Sequence, residues 1–241
     1  MTQIKPEVEK GKLFKISPSG LYEFTQCQSC YWVQYHLGKV SGFPPLLNMA
    51  LDSILKERYD LFRIDRKFPP EADQLVKEGV TVFRDLEKLN AWRSSANHLE
   101  VVNAKVGYML RGKIDDVFME ADGRLIPADY KSSGYAPKED KQKYYRYQLA
   151  AYAYMFQHAG FPVSDRAYLL HYFITDAHGT VIEIPFSGHV DRVDISGINI
   201  ENMLRDIVKL LKGPYPGLNP ECDNCTFYKD MHELLGKGEK H

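Results

Sequence analysis

The sequence predicts a mixed α/β fold, with a central sheet flanked by helices, on three observations. Helix-period apolar stripes alternate along the chain with strand-like runs. An Asp122-Gly123 turn joins two of those runs. AYLLHYFI, residues 167–174, is a continuous apolar run of the kind that a buried central strand requires. The composition agrees: 241 residues, 44% apolar and 26% charged, suit a globular chain with its own core and exclude global disorder. Lys+Arg is 31 against Asp+Glu 32, a net charge of −1. An all-over basic coat for nucleic acid is excluded, while a local basic groove is not. No apolar stretch approaches the ~18–20 residues of a membrane span. MTQIKPEVEKGKLF lacks the apolar segment of a secretory signal, so the expected location is cytoplasmic, with no membrane partner.

The elements follow in order. Ser17 caps a helical stretch, LYEFTQCQSCYWVQYHLG, that Gly38 stops. After the break at Phe43-Pro44-Pro45, residues 46–63 carry Leu47, Leu51, Ile54, Leu55 and Phe62 at helical spacing. Residues 64–100, with Pro69-Pro70 and one short helix, read as an insertion within a single domain spanning 1–241. Val102, Ala104, Val106, Tyr108 and Leu110 alternate as one strand. KIDDVFME and LIPADYK form the arms of the Asp122-Gly123 hairpin. A helix is expected over roughly 138–159, then the 167–174 strand, a turn at Asp176-Ala-His-Gly179 and a strand TVIEIPF. A last helix, about 196–212, carries Met203, Leu204, Ile207, Val208 and Leu211 and stops at Gly213-Pro214.

Four cysteines fall as two C-x-x-C pairs, Cys27/Cys30 and Cys222/Cys225, near opposite ends of the chain. A reducing compartment disfavours disulfides, so the pairs read as one tetrathiolate metal site. The segments 17–38 and 213–230 would form the staple. Four thiolates suit structural Zn²⁺. An iron–sulfur cluster uses the same ligands.

The second constellation lies in RGKIDDVFMEADGRLIPADYKS. Asp115 and Asp129 stand equally far on either side of position 122, at the same end of the hairpin. Two such carboxylates can hold Mg²⁺, with the Tyr130 carbonyl as a third oxygen ligand. Lys131 alternates onto the face of Asp129, where it can orient a water or offset phosphate charge. The Asp/Glu-x-Lys triplet occurs three times, also as Asp65-Arg66-Lys67 and Glu139-Asp140-Lys141, but only 129–131 lies in a strand. A two-residue loop would set Asp116 opposite Asp129; a three-residue loop or a bulge would set Asp115 there. Spacing leaves both open. Lys138, Lys141, Lys143 and Arg146 interleave with Tyr144, Tyr145 and Tyr147. Charge with stacking rings suits a nucleic-acid strand, and a solvated helix face explains it as well. The eight histidines read as incidental, His171 as a satisfied core residue and His178 as part of a turn.

GKIDDV, ADYKS and YYRYQLAAYAY together resemble the PD-(D/E)XK nuclease superfamily in its RecB-like, CRISPR-associated-exonuclease-like branch. The resemblance covers roughly 17–62 and 101–228. It implies a restriction-endonuclease-like αβββαβ core. It places the motif residues on Asp115, Asp129, Lys131, Gln148 and Tyr152, choosing Asp115 over Asp116. It implies a Mg²⁺- or Mn²⁺-dependent deoxyribonuclease, an exonuclease on single-stranded or duplex DNA ends acting in DNA repair, with a helicase or CRISPR partner. At the family's early-helix histidine this chain has Asp52, a further candidate metal ligand. The resemblance also implies a 4Fe–4S cluster on Cys27, Cys222 and Cys225. Cys30 would be its fourth ligand, because Met231 stands where the last cysteine is expected. The alternative from another class is a non-catalytic nucleic-acid-binding protein with a structural metal site. A nuclease assay separates the two.

Overall fold

In the computed structural model, which describes residues 11–38, 46–137, 142–175 and 185–238, strand β1 (Phe14–Ile16) leads into two helices where the periodicity predicts one. α1 (Pro18–Gln26) starts on Ser17, whose hydroxyl accepts from the Gly20 N–H. It ends at Cys27, which is extended at φ −156° and ψ 109°. The Cys27 thiol then accepts from the Cys30 N–H and caps α2 (Gln28–Leu37). The first cysteine breaks the helix because its backbone serves as a cap.

α3 (Leu46–Ile64) has the expected extent but a different buried side. Leu55, Tyr59 and Arg63 point inward, while Leu47 and Ile54 are exposed. Apolar spacing alone favoured the wrong stripe; a buried ionic partner for Arg63, described below, decides the rotation. Residues 64–100 hold a 3₁₀ turn (Pro70–Ala72), α4 (Asp73–Lys77), β2 (Thr81–Val82) and α5 (Leu86–Arg93). The single strand expected over 102–110 is a hairpin of β3 (Leu99–Asn103) and β4 (Tyr108–Gly112). Its turn passes through Gly107 at φ +106°, which a residue with a Cβ rarely adopts. Leu99, Val101, Tyr108 and Leu110 face the core, and Val102 faces solvent.

β5 (Asp116–Met119) and β6 (Leu125–Ser133) form the second hairpin. α6 (Gln142–His158) crosses from β6 to the parallel strand β7 (Arg166–Ile174). β8 (Phe186–Asp194) lies antiparallel to β7. The turn at 176–179, including His178, and most of the expected strand TVIEIPF lie outside the described residues. β8 begins where that strand was expected to end. Its sequence FSGHVDRVD is polar because it is a sheet edge. α7 (Ile200–Lys212) and α8 (Asp223–Gly238) follow.

Among the described residues the strands form two sheets, ordered β1-β4-β3 and β2-β5-β6-β7-β8. This is the predicted mixed α/β architecture. Side-chain alternation along β6 gives the larger sheet two buried faces. Ile126, Ala128 and Tyr130 pack with Leu55 and Tyr59 of α3. Leu125 joins Val117, Leu169 and Val193 in the core that includes Leu149, Ala150, Ala153 and Phe156 of α6. Asp129 and Lys131 share the phase of Leu125 and therefore face α6.

Candidate active site and cysteine centre

The hairpin register decides between the two neighbouring aspartates. Met119 pairs with Leu125 and Asp116 with Ala128. The loop is therefore Ala121-Asp122-Gly123, closed by the Glu120 N–H on the Arg124 carbonyl and the Gly123 N–H on the Glu120 carbonyl. Gly123 sits at φ +88°, as the last residue of a three-residue hairpin loop requires. Continued one step beyond β5, this register sets Asp115 across from Asp129. The backbone before Asp115 is held tightly. A Cβ on Gly112 would lie 2.7 Å from Pro18 Cγ and 3.3 Å from the Tyr152 ring. The Tyr152 hydroxyl donates to the Lys113 carbonyl at 2.5 Å. Tyr152 thus braces the approach to Asp115 from below rather than touching the carboxylates.

The carboxylates meet at the end of the hairpin. Asp115 Oδ2 accepts from the Tyr130 N–H at 3.2 Å, and Asp115 Oδ1 lies 2.8 Å from Lys56 Nζ. Asp129 Oδ1 accepts from Gln148 Nε2 at 2.9 Å, and Lys131 Nζ pairs with Asp129 Oδ2. Gln148 and Tyr152 are one turn apart on α6, so that turn both orients Asp129 and braces the segment before Asp115. Lys131 Nζ also lies 4.8 Å from the Tyr145 ring centre. Burial, with the charge of Asp115 added, pushes Asp129 up to about 7 despite Lys131 beside it. Burial acts the same way on Asp115, but the ammonium groups of Lys56 and Lys131 outweigh it and hold that carboxyl below its usual range. Two crowded carboxylates at the end of one hairpin are hard oxygen donors, and their present counter-charges are two lysine ammonium groups on flexible stems. The carboxylates fit a divalent cation.

Asp52 lies one helical turn before Lys56 and touches its ammonium at 2.6 Å. It reaches Asp115 only through that lysine. Sequence reasoning missed Lys56; the signal available was a lysine four residues after Asp52, but it acquires meaning only once the rotation of α3 is known. Lys143 and Arg146 sit by the rings of Tyr144 and Tyr147, at 5.4 and 5.9 Å, on the first turns of α6. Lys138 and Lys141 lie outside the described residues. His171 is buried and sits 3.1 Å from Asp191, a paired core histidine.

Asp116 has the opposite environment. It is fully buried on the α3 side, where Arg63 and the Tyr130 hydroxyl (2.5 Å) bind its two oxygens. Arg93 adds a third contact at 3.6 Å and also donates to the Asp115 carbonyl at 2.7 Å. Arg63 donates on to the Phe83 carbonyl at 2.7 Å. Each buried charge is thus paired, as burial demands.

The four cysteines converge. Their Sγ atoms all lie within 4.8 Å of one another: Cys27–Cys225 3.7 Å, Cys30–Cys222 3.6 Å and Cys30–Cys225 3.6 Å. Each pair stands at a helix N-terminus, Cys27 and Cys30 at that of α2, Cys222 and Cys225 at that of α8. The helix dipole and free N–H groups there favour thiolates. Burial opposes ionisation of Cys27, Cys30 and Cys225; hydrogen bonds from Cys30 and the other thiols hold Cys27 down at about 7, whereas burial and the neighbouring sulfurs push Cys30 and Cys225 up. Ser29 Oγ on the Gly217 carbonyl and Trp32 Nε1 on the Gly213 carbonyl (3.2 Å) tie α2 to the C-terminal segment.

Comparison with known proteins agrees with this geometry at family level. No curated protein matches the chain. The solved structure described as "Crystal structure of SSO0001" aligns at 16% identity, over 86% of this chain and 94% of that one, with a TM-score of 0.31, too low to carry an argument. The family model of the PD-(D/E)XK nuclease superfamily matches residues 15–228. That span takes in the paired carboxylates, Lys131, Gln148 and both cysteine pairs, and the chain belongs to the PD-(D/E)XK nuclease superfamily.

Proposed function

We propose that the protein is a divalent-metal-dependent deoxyribonuclease of the RecB-like type, acting on DNA ends, with a structural metal staple. The convergence of Asp115, Asp129 and Lys131 at one end of the β5–β6 hairpin carries this reading. Asp115 and Asp129 would hold Mg²⁺ or Mn²⁺. Tyr130 would add its carbonyl. The Tyr130 N–H donates to Asp115, and the carbonyl of a strand residue points to the same side as its N–H. Bound there, the cation supplies Lewis-acid stabilisation to the phosphodiester. Lys131 orients the attacking water and offsets the charge that develops on phosphorus. Gln148 fixes the Asp129 carboxylate by its hydrogen bond, and Tyr152 holds the segment between β4 and β5 that carries Asp115. Tyr144, Tyr145 and Tyr147, with Lys143 and Arg146, offer rings and charge to a DNA strand entering over α6. A helicase or other repair partner, DNA rather than RNA as substrate, and a cytoplasmic setting belong to this same reading.

For the staple, the sulfur spacing favours zinc over the 4Fe–4S cluster that the resemblance implies. Four thiolates on one Zn²⁺ at 2.3 Å sit about 3.8 Å apart. Thiolates on the separate irons of a cubane are spread to about 6 Å. Three of the six sulfur–sulfur spacings are 3.6–3.7 Å and all lie within 4.8 Å, which supports the former. Closing a loop of almost the whole chain contributes ~4–5 kcal/mol if a covalent cross-link is the guide.

The test is cleavage of linear and circular DNA and of RNA by the purified chain, with Mn²⁺ or Mg²⁺ and with EDTA, alongside metal analysis. Linear DNA should be degraded and EDTA should stop it. Lys131→Ala should lose on the order of 10²-fold or more while still binding DNA. Undiminished cleavage by Lys131→Ala overturns the catalytic assignment, and no cleavage by the wild type leaves the binding-module reading. A colourless protein with one zinc per chain, lost in Cys225→Ser, is expected; a brown protein absorbing near ~400 nm would restore the cluster.

A further inference from the structure

Lys56 places a positive charge where the proposed metal site needs one. Its ammonium lies 2.8 Å from Asp115 Oδ1 and 2.6 Å from Asp52 Oδ2, and its side chain is only 22% exposed. The other Asp115 oxygen already accepts from the Tyr130 N–H. An incoming cation must therefore compete with Lys56 for Oδ1. Asp52 is related to Lys56 by one helical turn on α3, so that pair persists whatever happens on the strand. The lysine stem is flexible and its ammonium can turn between partners.

We propose that Lys56 is a resident counter-cation of Asp115 that yields to the divalent metal by withdrawing onto Asp52, and that Asp52 serves as its holder rather than as a metal ligand. This rests on the reading of Asp115 and Asp129 as the metal site. Its logic is charge balance. Without metal, Lys56 and Lys131 each neutralise one of two crowded carboxylates; with metal, the cation does so and Lys56 needs another partner. Asp52 supplies it on the same helix face.

The test is Mn²⁺ binding to the full chain as purified, followed calorimetrically, with melting curves to show that each variant is folded. Lys56→Met should tighten Mn²⁺ on the order of tenfold, because a unit charge in contact with the ligand is removed. Asp52→Asn should weaken it several-fold, because Lys56 then has no alternative partner. Asp52→Asn combined with Lys56→Met should regain the affinity of Lys56→Met alone, the interaction that a double-mutant cycle isolates. Lys56→Gln serves as a second uncharged variant if Lys56→Met does not fold. Affinity unchanged or weakened by loss of Lys56 overturns the inference. So does a double variant as weak as Asp52→Asn, which would make Asp52 a ligand. If the wild type binds no Mn²⁺, the metal-site reading itself falls; if Asp115→Asn abolishes binding and Lys56→Met changes nothing, only this inference falls.

Discussion

Asp115 and Asp116 are consecutive, chemically identical and opposite in every other respect. Asp116 is enclosed between β6 and α3, with its oxygens committed to Arg63 and Tyr130 and with Arg93 nearby. Asp115 stands at the open end of the hairpin, held by one backbone N–H and by a lysine on a flexible stem. A saturated, buried carboxylate holds elements together. A carboxylate with a displaceable partner is available for chemistry. The difference arises from a one-residue step at the start of β5, across which successive side chains turn to opposite faces of the sheet.

Three substitutions would break or sharpen this contrast. The largest effect on activity is expected for Asp115→Asn, which should abolish metal-dependent DNA cleavage with little change in melting temperature, because an amide is a poor ligand for a hard cation. Near-normal cleavage by this variant would erase the distinction between the two aspartates. Asp116→Asn should act on the fold instead. It leaves Arg63 buried beside a neutral amide, a loss of about 3–5 kcal/mol by analogy with other broken buried pairs. At about 2–4 °C per kcal/mol for a chain of this size, the melting temperature should drop by roughly 10 °C, with cleavage per folded molecule retained. A stable but inactive Asp116→Asn would move the metal site to the other face. The smallest effect is expected for Tyr152→Phe. It removes one hydrogen bond to the Lys113 carbonyl, worth about 1 kcal/mol, and loosens the segment before Asp115. Cleavage should fall by less than in Lys131→Ala, and Mn²⁺ affinity should hardly move. A loss as large as that of Lys131→Ala would give the Tyr152 hydroxyl a direct part in the reaction.

What the sequence determined was set by local chemistry. A glycine suited to φ > 0 after Asp122 makes a hairpin turn, apolar periodicity places α7, and C-x-x-C pairs declare a thiolate site wherever they meet. The Asp129-Tyr130-Lys131 triplet fixes two side chains on one face by alternation alone. Tertiary structure decided whatever depended on a partner distant in the chain. The loop length, and with it the pairing of Asp115 with Asp129, follows from β5–β6 register, which the whole sheet enforces. The break at Cys27 follows from capping and from thiols supplied by the far end of the chain. The rotation of α3 follows from Arg63 meeting the buried Asp116, and that rotation is what carries Lys56 to Asp115. Apolar spacing is nearly degenerate between adjacent stripes of a helix, whereas an unpaired buried charge is not tolerated; the ionic contact therefore selected the orientation that spacing could not.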